Sequence, residues 1–175
     1  YQEIVRALMS GSFAPGQKLT SRKVAAELGT SDMPGRSALS RLHSLRALDA
    51  LPNGSMVVPE MTADKYRQLM TLRALLEGAA TEWACANING NHLRTIRRNC
   101  TELTEAAEAG DLELYLRRNY EFKFSIYRHC GNDQMIFVIE TLWMQVGPFL
   151  RSYAGMFEGH LAGILEIDFH QDVLA

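Results

Sequence analysis

Four of the five prolines in this chain lie at or before Pro59, and the fifth is Pro148. Proline disrupts helix interiors and central strands alike, so the chain changes character at Pro59. Before that point only short elements fit between the Gly and Pro positions. Beyond it, long uninterrupted helices are allowed. In the first part, Ile4, Val5 and Leu8 fall on one face of a short opening helix that ends in the Gly11–Gly16 turn segment. Thr20 or Ser21 can cap a second helix over 22–28, closed by Gly29. Ser31 can cap a third, with Pro34 tolerated in its first turn. Along that helix Ala38, Leu39, Leu42 and Leu45 take one side, and Arg36, Ser40 and His43 the other. Ala50-Leu51-Pro52, a turn at Asn53-Gly54 and Met56-Val57-Val58 then predict a small β-hairpin. Three helices followed by a hairpin is the order of a winged helix.

The second part reads as helix throughout. The pattern predicts a long helix over 62–88, capped by Thr62 and carrying Tyr66, Leu69, Leu72, Leu76 and Ala80. A second spans 91–109 and stops at Gly110; a third starts at the Asp111 cap and ends near Gly131-Asn132. A fourth starts at Asp133, with Ile136, Ile139, Leu142 and Trp143 on one face and Pro148 as a kink; a last helix covers 158–174. No strand signal interrupts them, so a helical bundle is expected. The fold class is therefore mainly α, with a winged helix-turn-helix over residues 1–60 and an all-helical unit over 61–175.

Charge and cysteine usage narrow the function classes. Residues 1–60 hold seven Lys/Arg against five Asp/Glu, and residues 61–175 eleven against fifteen. This mild asymmetry permits a nucleic-acid contact in the first part without demanding one. Three cysteines, Cys85, Cys100 and Cys130, are too few and too scattered for a disulfide framework or a zinc motif. They read as buried thiols, and with no leader and no apolar run of bilayer length the expectation is a cytoplasmic protein. The chain opens at Tyr1 rather than Met, so further residues are expected before it and after Ala175. No Ser/His/Asp or Cys/His grouping and no Gly-rich phosphate loop suggests an enzyme.

A helix-turn-helix reads DNA by laying its second helix in the major groove, N-terminal residues toward the base edges. Arg22, Lys23, Arg36 and Arg41 are placed for phosphate or base contacts, with Ser31 and Ser40 in support. Spacing alone fits an ordinary solvated surface equally well. The ordered runs Ile4-Val5-Arg6, Pro15-Gly16-Gln17-Lys18-Leu19, Val24-Ala25-Ala26-Glu27-Leu28-Gly29-Thr30-Ser31 and Pro34-Gly35-Arg36-Ser37-Ala38-Leu39-Ser40-Arg41-Leu42 are more specific. They resemble the GntR family of bacterial transcription regulators. Tyr66 to Gly78, Ala109-Gly110-Asp111-Leu112 and Asn119 to Asn132 resemble the FadR-type (FCD) effector domain that follows the winged helix in one branch of that family.

The departures from the family pattern are informative. Asp32 stands where the family usually has Arg. It favours the helix N-terminus through the dipole, or it accepts from cytosine N4 and repels phosphate. A glycine usual in the turn toward the wing is replaced near Arg46, and the wing tip is rearranged around Asn53-Gly54-Ser55.

The resemblance also implies an effector cavity in which one Asp and three His hold a divalent metal and an Arg assists with an acidic effector. The first two metal positions match Asn119 and Lys123, the third matches His160, and the fourth falls near or beyond the chain end, where His170 is a poor candidate. Asn is a weak neutral donor and an ammonium has no lone pair for a cation, so no metal and no cofactor are expected. In the metal's place, Arg73 and Lys123, with Asn119 and His160, are expected to grip a carboxylate or phosphate effector. The alternative is that Arg73 pairs with Glu77 one turn away and Lys123 is solvated. Tyr120, Tyr127, Trp143 and Met144 either line the pocket or form plain core, and His92 and His129 read as surface or cap residues. The function implied is a homodimeric regulator that binds double-stranded DNA under control of a small anionic effector. The alternative is a degenerate regulator that binds ligand or pairs with a sister protein without operator binding.

Overall fold

Capping and burial set the elements of the winged helix. The computed structural model describes residues 1–29, 31–157 and 160–166. Helix α1 (Gln2–Met9) buries Ile4, Val5, Leu8 and Met9. Strand β1 (Lys18–Leu19) precedes α2 (Ser21–Leu28), whose Thr20 hydroxyl accepts from the Lys23 amide at 3.2 Å and whose Gly29 C-cap is left-handed, φ 62°. Helix α3 (Asp32–Ser44) buries Gly35, Ala38, Leu39 and Leu42. The chain then leaves α3 through Arg46 at φ 58°, the one non-glycine residue at positive φ among those described. This is where the family pattern prefers glycine, which adopts that region without a Cβ clash.

The wing is larger than the expected hairpin. Strands β2 (Asp49–Ala50) and β3 (Met56–Val57) pair as foreseen, but β1 joins them in a three-stranded antiparallel sheet of order β1-β3-β2. Val57 stands opposite both Lys18 and Asp49, and Met56 opposite Leu19 and Ala50. Pro52, which has no N–H to give a ladder, lies in the turn instead of in β2.

Four long helices build the bundle, each started by a side-chain cap. Thr62 caps α4 (Ala63–Cys85), Asp111 caps α6 (Leu112–Tyr127) and Asn132 caps α7 (Asp133–Gly155). Asn89 caps α5 (Gly90–Glu108) in a capping box completed by His92, which places that histidine as expected. Helix α7 continues through the buried Pro148. The expected last α-helix is corrected: Leu161–Glu166 form a 3₁₀ helix, and the rest of 158–174, His170 included, lies outside the described residues except for His160. Cys100 and Cys130 are buried, but Cys85 is exposed, against expectation. Among the described residues no helix is long and apolar enough to cross a membrane.

The core does not stop at Pro59. Leu8, Leu42, Leu48 and Val58 from the first part belong to the same buried cluster as Leu103, Phe122, Ile139 and Trp143 from the second. The connection is made by α1, which packs on α7. At their crossing, a Cβ on Gly147 would lie 2.0 Å from the Leu8 carbonyl oxygen, so only glycine lets the two backbones meet. Arg151 of α7 donates to the Gly11 carbonyl at 3.2 Å and also pairs with Glu113. Gln145 of α7 donates to the Leu45 carbonyl at 3.4 Å. Gly147→Ala should therefore force α1 off α7 and lower unfolding stability by about 1–3 kcal/mol. Urea denaturation indistinguishable from the parent would refute the close crossing.

His92 and His129 stack at 4.0 Å between ring centroids, 18° from parallel. Burial, and next the neighbouring His92, hold the His129 imidazole below its ordinary value of 6.5. The unfolded chain therefore takes up a proton on acidification before the folded chain does, and folding stability falls as pH drops through and below 6.5. His129→Gln should flatten the decline in Tm between about pH 7 and pH 5.5; an unchanged slope would dismiss this pair as its cause.

Candidate functional site

Two surfaces bring together the residues singled out from the sequence. The first is the outer face of α3 with the wing. Arg22, Asp32 and Arg36 line one groove with Asn53, Gly54, Ser55 and Met56 of the wing. Asp32 sits in the first turn of α3 with its carboxylate 3.9 Å from the Arg22 guanidinium, both groups exposed. Ser31 occupies the N-cap position of α3 but its side chain makes no capping hydrogen bond. Lys23 and Ser40 are exposed. Arg41 lies apart from that groove's lining, with its guanidinium 4.4 Å above the ring of Tyr1, the residue before α1. One residue of this face was missed in the sequence: Met33, in the first turn of α3, is 74% exposed. Its place opposite the buried Gly35, Ala38, Leu39 and Leu42 was the available signal.

The second surface is a cavity of about 240 Å³ inside the bundle. Met70 and Arg73 of α4, Asn119 and Lys123 of α6, and Leu150 and Tyr153 of α7 are on its wall. Asn119 and Lys123 thus share one wall because they lie one turn apart on α6, as the i, i+4 spacing demands. Arg73 is 6% exposed and Asn119 7%. The Asn119 Oδ1 atom is buried with no hydrogen-bond partner.

The charge on Arg73 is compensated within the protein. Its Nε donates to Glu77 Oε1 at 2.5 Å and its Nη2 to Oε2 at 3.3 Å. The same carboxylate accepts from Trp143 Nε1 at 2.9 Å and from the Tyr127 hydroxyl at 2.6 Å. The guanidinium also lies 4.4 Å over the Trp143 ring, and its Nη1 meets the Met70 thioether at 3.5 Å. The Arg73–Glu77 pair weighed in the sequence is therefore present, and Arg73 still lines the cavity. Glu121 is engaged elsewhere, with Arg118 at 2.5 Å.

One expectation is corrected. His160 is exposed and absent from the cavity wall; its backbone N–H is tied to the Phe157 carbonyl at 2.7 Å. Of the two places open to Tyr120, Tyr127, Trp143 and Met144, the structure has the core: none of them lines this cavity. Tyr120, Phe124, Tyr127 and Trp143 pack together edge-on or tilted in the core, and Trp143 and Tyr127 serve Glu77. A divalent metal does not fit this cavity. Its described lining holds no imidazole and no carboxylate, and the ammonium of Lys123 stands where a ligand would be needed. Among the described residues no group of three or more His, Cys, Asp or Glu is gathered.

Removing the charge of Glu77 leaves Arg73 as a buried cation without its counter-ion. Glu77→Gln should cost about 3–5 kcal/mol of unfolding stability, and a second change, Arg73→Met, should recover much of it. A loss within about 1 kcal/mol, the range of exposed pairs, would show that the cluster does not hold the three helices together.

Comparison with known proteins agrees with this geometry. Residues 1–58 match the bacterial regulatory proteins of the gntR family, and residues 68–175 match the FCD domain. The HTH-type transcriptional regulator McbR of Escherichia coli K12 is 31% identical over 149 residues, covering 85% of this chain and 67% of McbR. The Nta operon transcriptional regulator of Aminobacter aminovorans is 27% identical over 134 residues, covering 77% of this chain and 63% of that protein. The chain thus spans about two thirds of the length of these curated relatives. The solved structure of E. coli McbR/YncC superposes with a TM-score of 0.83 at 26% identity, covering 99% of this chain and 87% of the other. Matched along its length in this way, the chain belongs to the GntR family of transcription regulators, in the branch that carries an FCD domain.

Proposed function

We propose that this chain binds operator DNA through α3 and the wing, and that a small organic anion held between α4, α6 and α7 controls that binding. The observation that carries the reading is the double use of α7. Leu150, Tyr153 and Ala154 of α7 line the cavity, while Gly147 and Arg151 of the same stretch hold the end of α1. Packed interfaces of this density switch between arrangements more readily than they deform. A ligand that prefers one seating of α1 on α7 shifts the DNA-competent population by its differential affinity.

Lys123 and Arg73 supply the attraction for a carboxylate or phosphate, and Asn119 a buried amide beside them. Across the molecule, Arg22, Lys23, Ser31, Asp32, Arg36 and Ser40 form the face offered to DNA, and Arg41 braces α3 against α1. Two copies of the chain would present two such faces to the half-sites of an operator. The names of the E. coli and Aminobacter relatives, both transcriptional regulators, support the role.

A duplex selected from a random pool by the full chain provides the test. Its affinity should fall with salt at a log–log slope of roughly −0.9 per phosphate neutralised. Small monocarboxylates and inorganic phosphate, tried in turn, should include one that changes that affinity. Lys123→Met should abolish the change and leave ligand-free DNA binding intact. Salt-insensitive binding, or none, would overturn the DNA part; an anion response that survives Lys123→Met would overturn the effector part.

A further inference from the structure

The DNA-binding reading on which this inference rests leaves one feature of α3 unused. The winged helix buries its large apolar side chains well: Leu8, Met9, Leu19, Leu42 and Leu48 are each at most 1% exposed. Met33 is the exception. At 74% it is the one large hydrophobic residue exposed among those described before Met61. Helical spacing puts it on the same stripe as Arg36, Ser37 and Ser40, diametrically opposite the buried stripe of Gly35, Ala38, Leu39 and Leu42. It also lies in the first turn, the end of a recognition helix that reaches deepest toward base edges.

We infer that Met33 reads the C5 methyl group of a thymine in each half-site. A thioether side chain has no donor and only a weak acceptor, so it cannot satisfy the hydrogen-bonding edge of any base. The thymine methyl is the one apolar group that the four bases present in the major groove. An unbranched, polarizable chain adapts to such a contact more easily than a branched one. Its neighbours leave room for it. Ser37 and Ser40 are small, so α3 can lie close to the groove floor along this stripe. Asp32 is drawn toward Arg22, and Arg36 leans into the groove beside the wing. Those charged groups are thereby available for hydrogen-bonded and phosphate contacts on either side, and the apolar reading falls to Met33 alone.

The test removes methyl groups one at a time. A duplex enriched by the full chain is remade with deoxyuridine at each thymine in turn, a change that deletes only the C5 methyl. Affinity is measured by fluorescence anisotropy at one fixed salt concentration. At one symmetric position per half-site the loss should be about fourfold, the factor that corresponds to leaving one methyl-sized group unburied. Met33→Ala should bind the parent duplex more weakly and show no further loss at that position, whereas Met33→Leu should keep part of the sensitivity. Equal affinity for every deoxyuridine duplex would overturn the inference, as would a loss that persists in Met33→Ala. Failure to enrich any duplex would bring down the DNA-binding reading together with it, and so is distinguishable from either.

Discussion

Where α1 crosses α7, the backbones touch with no side chain between them. Gly147 makes this possible, since any Cβ there would run into the Leu8 carbonyl. The contact fixes where the winged helix sits, because α1 is its first helix and Leu8, Leu42 and Leu48 share its core. It also fixes what the bundle can transmit. Arg151 and Gln145, placed either side of Gly147 on α7, each hold a carbonyl of the first sixty residues, at Gly11 and Leu45. The junction is therefore a packed helix pair with polar ties, and the connection at Pro59 to Thr62 is only the covalent part of it.

One turn before Gly147, at Trp143, the same helix is held by electrostatics. Glu77 sits between α4, α6 and α7 and receives hydrogen bonds from a side chain of each: Arg73, Tyr127 and Trp143. Within a low-dielectric core such a carboxylate is tolerable only with this many donors. The arrangement neutralises most of the charge that Arg73 brings, so the cavity beside it is not a bare cationic hole. Lys123 and Asn119 lie beside it, on a wall otherwise made of Met70, Leu116, Leu150, Ala154 and Ile164 along with three tyrosines. The family resemblance implies a metal at this place; the function proposed for this chain puts direct contact with an anion there instead.

Much of this was legible in the sequence, and the parts that were share a local cause. Thr20, Thr62 and Asp111 cap helices because their short polar side chains reach the amide three residues on, a relation contained in a few consecutive positions. Gly29 ends α2 for a similarly local reason. Asn119 and Lys123 meet on one wall because a single helix turn separates them. What escaped depended on distant partners. Strand β1 has only two residues, no alternation to detect, and pairs with Met56 and Val57 far along the chain. Trp143 reads as plain core until its indole N–H is seen on Glu77, 66 residues earlier. His160 was aligned to the cavity by family spacing, yet it lies exposed beyond the end of α7. Nothing near Gly147 in the sequence marks it out, because the Leu8 carbonyl it meets lies far along the chain.

The claim most in need of measurement is that the winged helix and the bundle form one cooperative body through α1 and α7. Native-state hydrogen–deuterium exchange of the full chain, followed peptide by peptide in low denaturant, reads it directly. The amides of Gln2–Met9 should open with those of Asp133–Gly155, with the same free energy and the same dependence on denaturant. Exchange of α1 at a much lower free energy, while α7 stays protected, would show that the first helix is merely resting on the bundle and would contradict the coupling on which the proposed regulation depends.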